Sequence, residues 1–340
     1  MMTVSRVVNG SAHISEETRA RVNGAIAELG YLPHGPARQL RSNRTQTLAL
    51  VVTDIRNPFF TTIAGGVEDT ARSRGYAVMF CNTYESEAVE AEYVRLLIER
   101  RVDGVLLVPA AGGGGQVRLL KQRGIPTVLV DRHLDGVEVD EVRAASRQGA
   151  REVVLHLIGL GHRRVVMLTG PEAVSTSADR VAGYLDALRE ACPDGELIPV
   201  RYGGFSEESG YQMTRGALDE KPRPTAIFAA NNFIAFGALK AVREAGLGVP
   251  QDISIAVFDD LPAEWVQQPF LTSVWQPAYE IGTKAAELLL GRLSGEVGEA
   301  SQRIVLPTEL VIRSSTAAPP ATEARRPAAA VPSAEHGEEK

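Results

Sequence analysis

From residue 48 to about 316 the chain alternates short runs of Val, Ile and Leu with helix-length segments, and that alternation restricts the fold class more than any other feature. The runs are LALVVTDI, YAVMFCNT, VDGVLLVPA, IPTVLVDR, RRVVMLTG, TAIFAA and ISIAVFDD. They are near-continuously apolar, as parallel strands covered on both faces must be. Helices are predicted between them near 61–74, 87–100, 146–159 and 277–293, with Gly159, Gly161, Gly246 and Gly291 placed as stops. The expected body is therefore α/β, with parallel sheets flanked by helices.

Several function classes fall away at once. No apolar run approaches the roughly 20 residues that span a bilayer, and the N-terminus lacks a basic flank followed by an apolar stretch. No membrane role is expected. Cys81 and Cys192 form no CxxC pair, which fits a reducing cytoplasm. The first body strand runs into RNPFF, whose bulky residues exclude the close glycine approach of a dinucleotide site. GGGG at 112–115 is followed by no GK[ST] and reads as a flexible surface loop. The histidines show no metal-ligand spacing and no nucleophile beside them, so neither an enzyme nor a cofactor is expected.

The head differs from the body. Residues 1–47 carry six arginines against three glutamates, although the whole chain has a net charge of -6. A basic head on an acidic body suits contact with phosphates. Ser15 with Glu16 and Glu17 starts a helix that runs to Leu29, and Gly30 can cap its end. Its Val22, Ala25, Ile26 and Leu29 form one apolar face for packing against a short helix at 3–8. Pro33 and Pro36 bracket a break, 36–41 reads as a short helix, and SNRTQT at 42–47 as a linker. The Pro, Ala and charge-rich stretch 317–340 reads as disordered.

TVSRVVNG at 3–10 and the SxxxSEETRxRVxxAIxELGYLP pattern after it resemble the LacI/GalR family of bacterial repressors. In that family a three-helix headpiece lays its second helix in the major groove. The match begins inside that second helix, so an incomplete helix-turn-helix headpiece is expected over 1–32. Thr3, Ser5 and Asn9 carry short polar groups suited to phosphates, and Arg6 can reach a guanine edge with two donors. PHGPARQLR at 33–41 resembles the family's hinge helix, which wedges a leucine into the minor groove. Leu40 matches that leucine and Arg38 stands beside it. His34 replaces the family's usual asparagine.

The resemblance continues through VxDIxNPFF, ERRVDGVLLVPA, HLIGLGHRRV, the stretch 225–260 and LTSVWQP. It implies a two-lobed core over 48–316, like the periplasmic sugar-binding proteins, with crossovers near 161, 275 and 304. A ligand would lie between the lobes, at the C-terminal ends of strands. Asp54, Asn57, Phe59 and Phe60 follow the first strand, and aromatic faces beside carboxylate and amide suit a sugar. Phe60 fits equally well in the core, and Asp54 as a helix cap. Asp131 and Arg132 end another strand as a carboxylate–guanidinium pair, suited to hydroxyls, to an acid or to bridging the lobes. Arg180 and Phe205 match the family's effector-contacting arginine and stacking aromatic, and Asn231 and Asp259 match its polar contacts, with loop capping as their alternative. Trp275 fits either the cleft wall or the hinge.

Two departures bear on the ligand. Asn232 stands where the family usually has aspartate, and Ala145–Ser146 where it has Asp-Asn. With Arg132 and Arg180 remaining, the sequence leaves room for an acidic or phosphorylated sugar. The resemblance implies a homodimeric repressor of double-stranded operator DNA controlled by a sugar or sugar-derived effector. The alternative is a cytoplasmic small-molecule-binding protein that no longer binds DNA.

Overall fold

Two six-stranded sheets form two lobes in the computed structural model, which describes residues 7, 14–29, 44–112, 114–191, 199–261 and 268–320. The first lobe contains β1 (Thr47–Val52), α2 (Pro58–Ser73), β2 (Ala77–Asn82), α3 (Glu87–Glu99), β3 (Gly104–Leu107), α4 (Gly115–Gln122), β4 (Thr127–Val130) and β5 (Asp140–Ala144). The second contains α5 (Ser146–Gly159), β6 (Val165–Thr169), α6 (Ser175–Ala191), β7 (Arg201–Tyr202), α7 (Glu207–Leu218), β8 (Ala226–Ala229), α8 (Asn232–Glu244), β9 (Ser254–Phe258) and β10 (Thr272–Trp275). The chain then returns to the first lobe for α9 (Ala278–Ser294) and β11 (Arg303–Leu306), and ends in the second with β12 (Glu309–Val311). The sheet orders are β11-β5-β4-β3-β1-β2 and β12-β10-β9-β8-β6-β7. Every pairing is parallel except β10–β12, an antiparallel edge that the sequence did not announce.

The apolar runs explain the layers. Leu48 to Val52 are buried on both faces of β1, and alternate residues enter two different cores. Leu48, Leu50 and Val52 meet α2 and α9, whereas Ala49 and Val51 lie with Val94 and Leu97 of α3 and Leu120 of α4. Helix α2 starts earlier than expected because Asn57 accepts a hydrogen bond from the Phe59 amide and Pro58 occupies the first turn. Helix α9 runs through Gly291, and its left-handed stop is Gly295 (φ 78°).

The first crossover lies at Ala145, not near 161. Helix α5 already belongs to the second lobe, where Ala150, Val153, Val154 and Leu157 join Val165, Met167 and Phe258. The other passages are at Gln276–Pro277 and Pro307–Thr308. The linker's end is not loose either. Asp103 accepts from the Thr45 and Gln46 amides at 2.7 and 2.8 Å, and the Arg44 guanidinium donates to the Leu293 carbonyl. At the other end, Ala317 is tied to Ser254 and His162, so the start of the 317–340 stretch packs on the second lobe. The GGGG stretch contributes Gly114 as the left-handed N-cap of α4.

Helix α1 (Glu16–Glu28) is capped by Ser15, which accepts from the Thr18 amide. None of its residues is buried, and Leu29 is 80% exposed, so the apolar face expected from Val22, Ala25, Ile26 and Leu29 is not a packed core. Thr3, Ser5, Arg6, Asn9, Arg38 and Leu40, with the rest of the hinge, lie outside the described residues.

Paired helices touch backbone to backbone at glycines. A Cβ on Gly66 would overlap the Tyr279 carbonyl, and one on Gly282 the Ile63 carbonyl, so α2 and α9 approach as closely as they do because both lack side chains there. Gly183 does the same between α5 and α6, and Gly210 and Gly237 between α7 and α8. Gly282→Ala should destabilise the first lobe by about 1–3 kcal/mol through overpacking. Urea unfolding of the full chain checks this; an unchanged midpoint would mean that the two helices part freely.

Candidate functional site

Strand C-terminal ends of both sheets converge on a small cavity of about 40 Å³. Asp54, Asn57, Phe59, Phe60, Asp131 and Arg132 line it from the first lobe, and Arg180, Phe205, Asn231 and Asp259 from the second. Glu85, Thr176 and Phe233 complete the wall, and the sequence reading had not singled them out.

Asp131 and Asp259 occupy equivalent places, just past β4 and β9. Both have left-handed backbones, with φ 66° and 76°. Each is held there by its own amide, which donates to the neighbouring strand: Asp131 to the Val142 carbonyl at 2.9 Å, Asp259 to the Val274 carbonyl at 3.1 Å. Non-glycine residues in that region are strained, and such strain clusters where side-chain aim matters. Both aspartates are about 5% exposed.

The guanidiniums are partnered differently from the expected Asp131–Arg132 pair. Arg132 donates through both terminal nitrogens to Glu85, at 2.7 and 2.6 Å, and to the Pro109 carbonyl at 2.9 Å. Its Nε stands 4.0 Å from Asp131, and its plane lies over the Phe205 ring at 5.5 Å. The bidentate partner comes from the loop after β2, where Tyr84 and Glu85 both adopt positive φ. Arg180 stacks on Phe258 at 3.9 Å, donates to the Ala230 carbonyl at 2.6 Å and stands 4.0 Å from Asp259. Burial pushes the Asp131 carboxyl up to about 6, with Arg180 and Arg132 pulling against it. Burial likewise raises Asp259, opposed by Arg180 and by Gln276, whose amide donates to it.

Other predicted residues take mixed roles. Asn57 and Asn231 cap α2 and α8, accepting from Phe59 and Ile234 amides at 3.0 and 2.8 Å. Asn57 also joins the lobes, because Asn232 donates to its Oδ1 at 3.1 Å. Asp54 is held by Arg56 at 2.7–3.0 Å rather than capping a helix. Phe59 and Phe60 belong both to the first core and to the cavity wall. Phe205 lies flat on Gly170, where any Cβ would occupy the ring's place.

Trp275 is not in this cavity. It is 43% exposed and faces a hollow of about 530 Å³ with Pro58, Tyr279 and Arg313. Its neighbour Gln276, just past β10, is 4% exposed and donates to Asp259. The larger hollow holds Arg313, already bound to Asp260 at 2.6 and 2.8 Å, and the unpartnered Gln276 Oε1. The small cavity has more such atoms. Asp131 Oδ1, Arg132 Nε and Arg180 Nε, all on its lining residues, are buried without a hydrogen-bond partner. Unsatisfied buried groups are rare and costly, and here they offer both donors and acceptors around aromatic faces. Such a set suits hydroxyls. No metal-holding group of His, Cys, Asp or Glu exists among the described residues, and no described helix is long and apolar enough to cross a membrane.

Comparison with known proteins agrees with this geometry. The bacterial regulatory proteins, lacI family, match residues 1–34, and the periplasmic binding protein-like domain matches 154–316. The HTH-type transcriptional repressor PurR of Pectobacterium carotovorum is 35% identical over 328 residues, 95% of both chains. A LacI family transcriptional regulator from Enterococcus faecium with bound ribose is 30% identical, with TM-score 0.70, over 80% of this chain and 99% of that one. The lac repressor dimer bound to operator and the anti-inducer ONPF superposes with TM-score 0.81 at 28% identity, over 93% and 95% of the chains.

The raised Asp131 carboxyl has a thermodynamic consequence. Its folded value of about 6 lies above the ordinary 3.8. The folded state therefore holds the proton more tightly, and stability falls as pH rises through that window. Asp131→Asn should remove this slope, raising the unfolding midpoint above pH 6 and leaving it little changed below pH 4. Urea unfolding at several pH values measures it; a pH-independent difference would sink the assignment.

Proposed function

The chain belongs to the lacI family of bacterial regulatory proteins, and from that premise we propose that a monosaccharide of pentose size, held between its lobes, sets its affinity for operator DNA. It is a ligand-binding, DNA-binding transcriptional regulator and not an enzyme. The observation that carries the sugar reading is the set of unpartnered donors and acceptors on Asp131, Arg132 and Arg180, in a cavity lined by Phe205 and the Phe59–Phe60 pair. The relative with bound ribose favours a pentose.

The coupling follows from where the contacts lie. Asp131 and Arg132 belong to the first lobe, and Arg180 and Asp259 to the second. A sugar touching both sets binds the closed arrangement better than an open one and shifts the population accordingly. The closed arrangement has its own links: Asn232 to Asn57, the His133 amide to Ser175 at 3.0 Å, and Arg143 to Asp179 at 3.4 Å. Asp103 pins Thr45 and Gln46, so the strand leading from the head moves with the first lobe. The protein works in the cytoplasm as a homodimer on a two-fold-related operator. Thr3, Ser5, Arg6 and Asn9 contact the operator, and Arg38 and Leu40 act from the hinge.

Fluorescence anisotropy with labelled palindromic duplexes from the gene's upstream region tests this. D-ribose should change the operator affinity of the full chain. Arg180→Ala should weaken sugar binding by about 100-fold or more, because it leaves buried carboxylates without their cation. Unliganded DNA affinity should stay within about twofold. Equal loss of sugar response and DNA binding would refute the role of Arg180.

A further inference from the structure

Arg132 and Arg180 in a ligand cavity would ordinarily invite an anion, and the pairing within the cavity argues the opposite. Glu85 takes both terminal nitrogens of Arg132, with the Pro109 carbonyl taking a further hydrogen bond. What is left of Arg132 toward the ligand is one Nε. Arg180 then stands as the remaining cation beside two buried carboxylates, Asp131 and Asp259. Asp54 is already matched by Arg56 at the rim. The cluster thus sets three carboxylates, the partly exposed Glu85 and the buried Asp131 and Asp259, against two buried guanidiniums.

Resting on the sugar reading above, we propose that this site is selective for uncharged polyhydroxylated ligands and rejects their phosphorylated or carboxylated forms. Glu85 is the residue that imposes the rejection by consuming the charge of Arg132. A hydroxyl donates to Asp131 Oδ1 and accepts from the Nε atoms of Arg132 and Arg180, satisfying all three. A phosphate accepts but donates nothing when ionised, and it adds like charge to a cluster already in excess. Glu85 is a positioning residue: it fixes the guanidinium over Phe205 and neutralises it without itself needing to touch the sugar.

The test is calorimetry on the full chain with matched pairs: D-ribose and D-ribose 5-phosphate, D-glucose and D-glucose 6-phosphate, cytidine and its 5′-monophosphate. The wild type should bind an uncharged member at least about 100-fold more tightly than its phosphorylated partner. Glu85→Gln should shrink that ratio about tenfold or more, chiefly by admitting the phosphorylated member as Arg132 regains its charge. Glu85→Asp, which keeps the charge, should retain the rejection. A ratio that moves is the informative readout, because general damage to the fold weakens both members alike. Wild-type affinity equal for both members of the binding pair would overturn the selectivity and leave the sugar reading standing. Equal weakening of both members by Glu85→Gln would overturn the role of Glu85. Binding of no member of any pair would overturn the sugar reading, and this proposal with it.

Discussion

Arg180 is a buried guanidinium that serves carboxylates of both lobes, and the arrangement around it governs the cleft. Its own lobe holds it in place, through the Phe258 face and the Ala230 carbonyl, with Asp259 at 4.0 Å. Across the cleft it is the strongest attractive influence on Asp131. Burying ions costs several kcal/mol each unless partners restore what water supplied. Here restoration is incomplete, since Asp131 Oδ1 and both guanidinium Nε atoms lack partners. The closed cleft therefore carries a polar deficit that hydroxyl groups can relieve, and relief available only in the closed state is what makes a ligand an effector.

The fold turns that local balance into movement of whole layers. Each lobe is a sheet with helices on both faces, and its paired helices meet at glycines with little freedom to slide. The passages between lobes are short, at Ala145, Gln276–Pro277 and Pro307–Thr308. Two stiff bodies on short connections change their relative position more readily than their interiors. Gln276 lies in one of those connections and also donates to Asp259, so the passage itself senses the cavity. The opposite end of the first sheet receives the strand from the head, clamped by Asp103 and by the Arg44–Leu293 contact.

Legibility of the fold followed burial. Strands β1, β3, β4, β6, β8 and β9 are central and covered on both faces, so their sequences are apolar runs that announce themselves. Strand β5, Asp140–Ala144, is equally interior in its sheet but begins with two carboxylates. Asp140 is buried against Arg292 at 2.7 and 2.8 Å, and Glu141 against Arg143 and Arg303. Such partners lie far along the chain, and local pattern cannot reveal them. The edge strands β7, β11 and β12 are two to four residues long and partly exposed, too short for the apolar residues of β11 and β12 to stand out as strands. The first crossover was misplaced because α5 is amphipathic whichever lobe it serves, and only its packing decides.

The candidate site divides along the same line. Residues just past strand ends were found because a parallel sheet must present them to the cleft, and Asp131, Asn231 and Asp259 are there for that reason. Trp275 was expected at the cleft wall or the hinge, yet its indole is half exposed outside the small cavity, and it is the next residue, Gln276, that is buried and donates to Asp259. The charge reading was incomplete for a more instructive reason. Arg132 and Arg180 left room for an acidic or phosphorylated sugar, because a sequence lists charges without their partners. Glu85 is separated from Arg132 by two strands and two helices, and the strained turn after β2 brings it within 2.6 Å. Once that pair is made, the same residues present a surplus of carboxylate. The charge that Arg132 can offer a ligand is thus limited by a contact between loops, which the composition of the strand ends alone does not reveal.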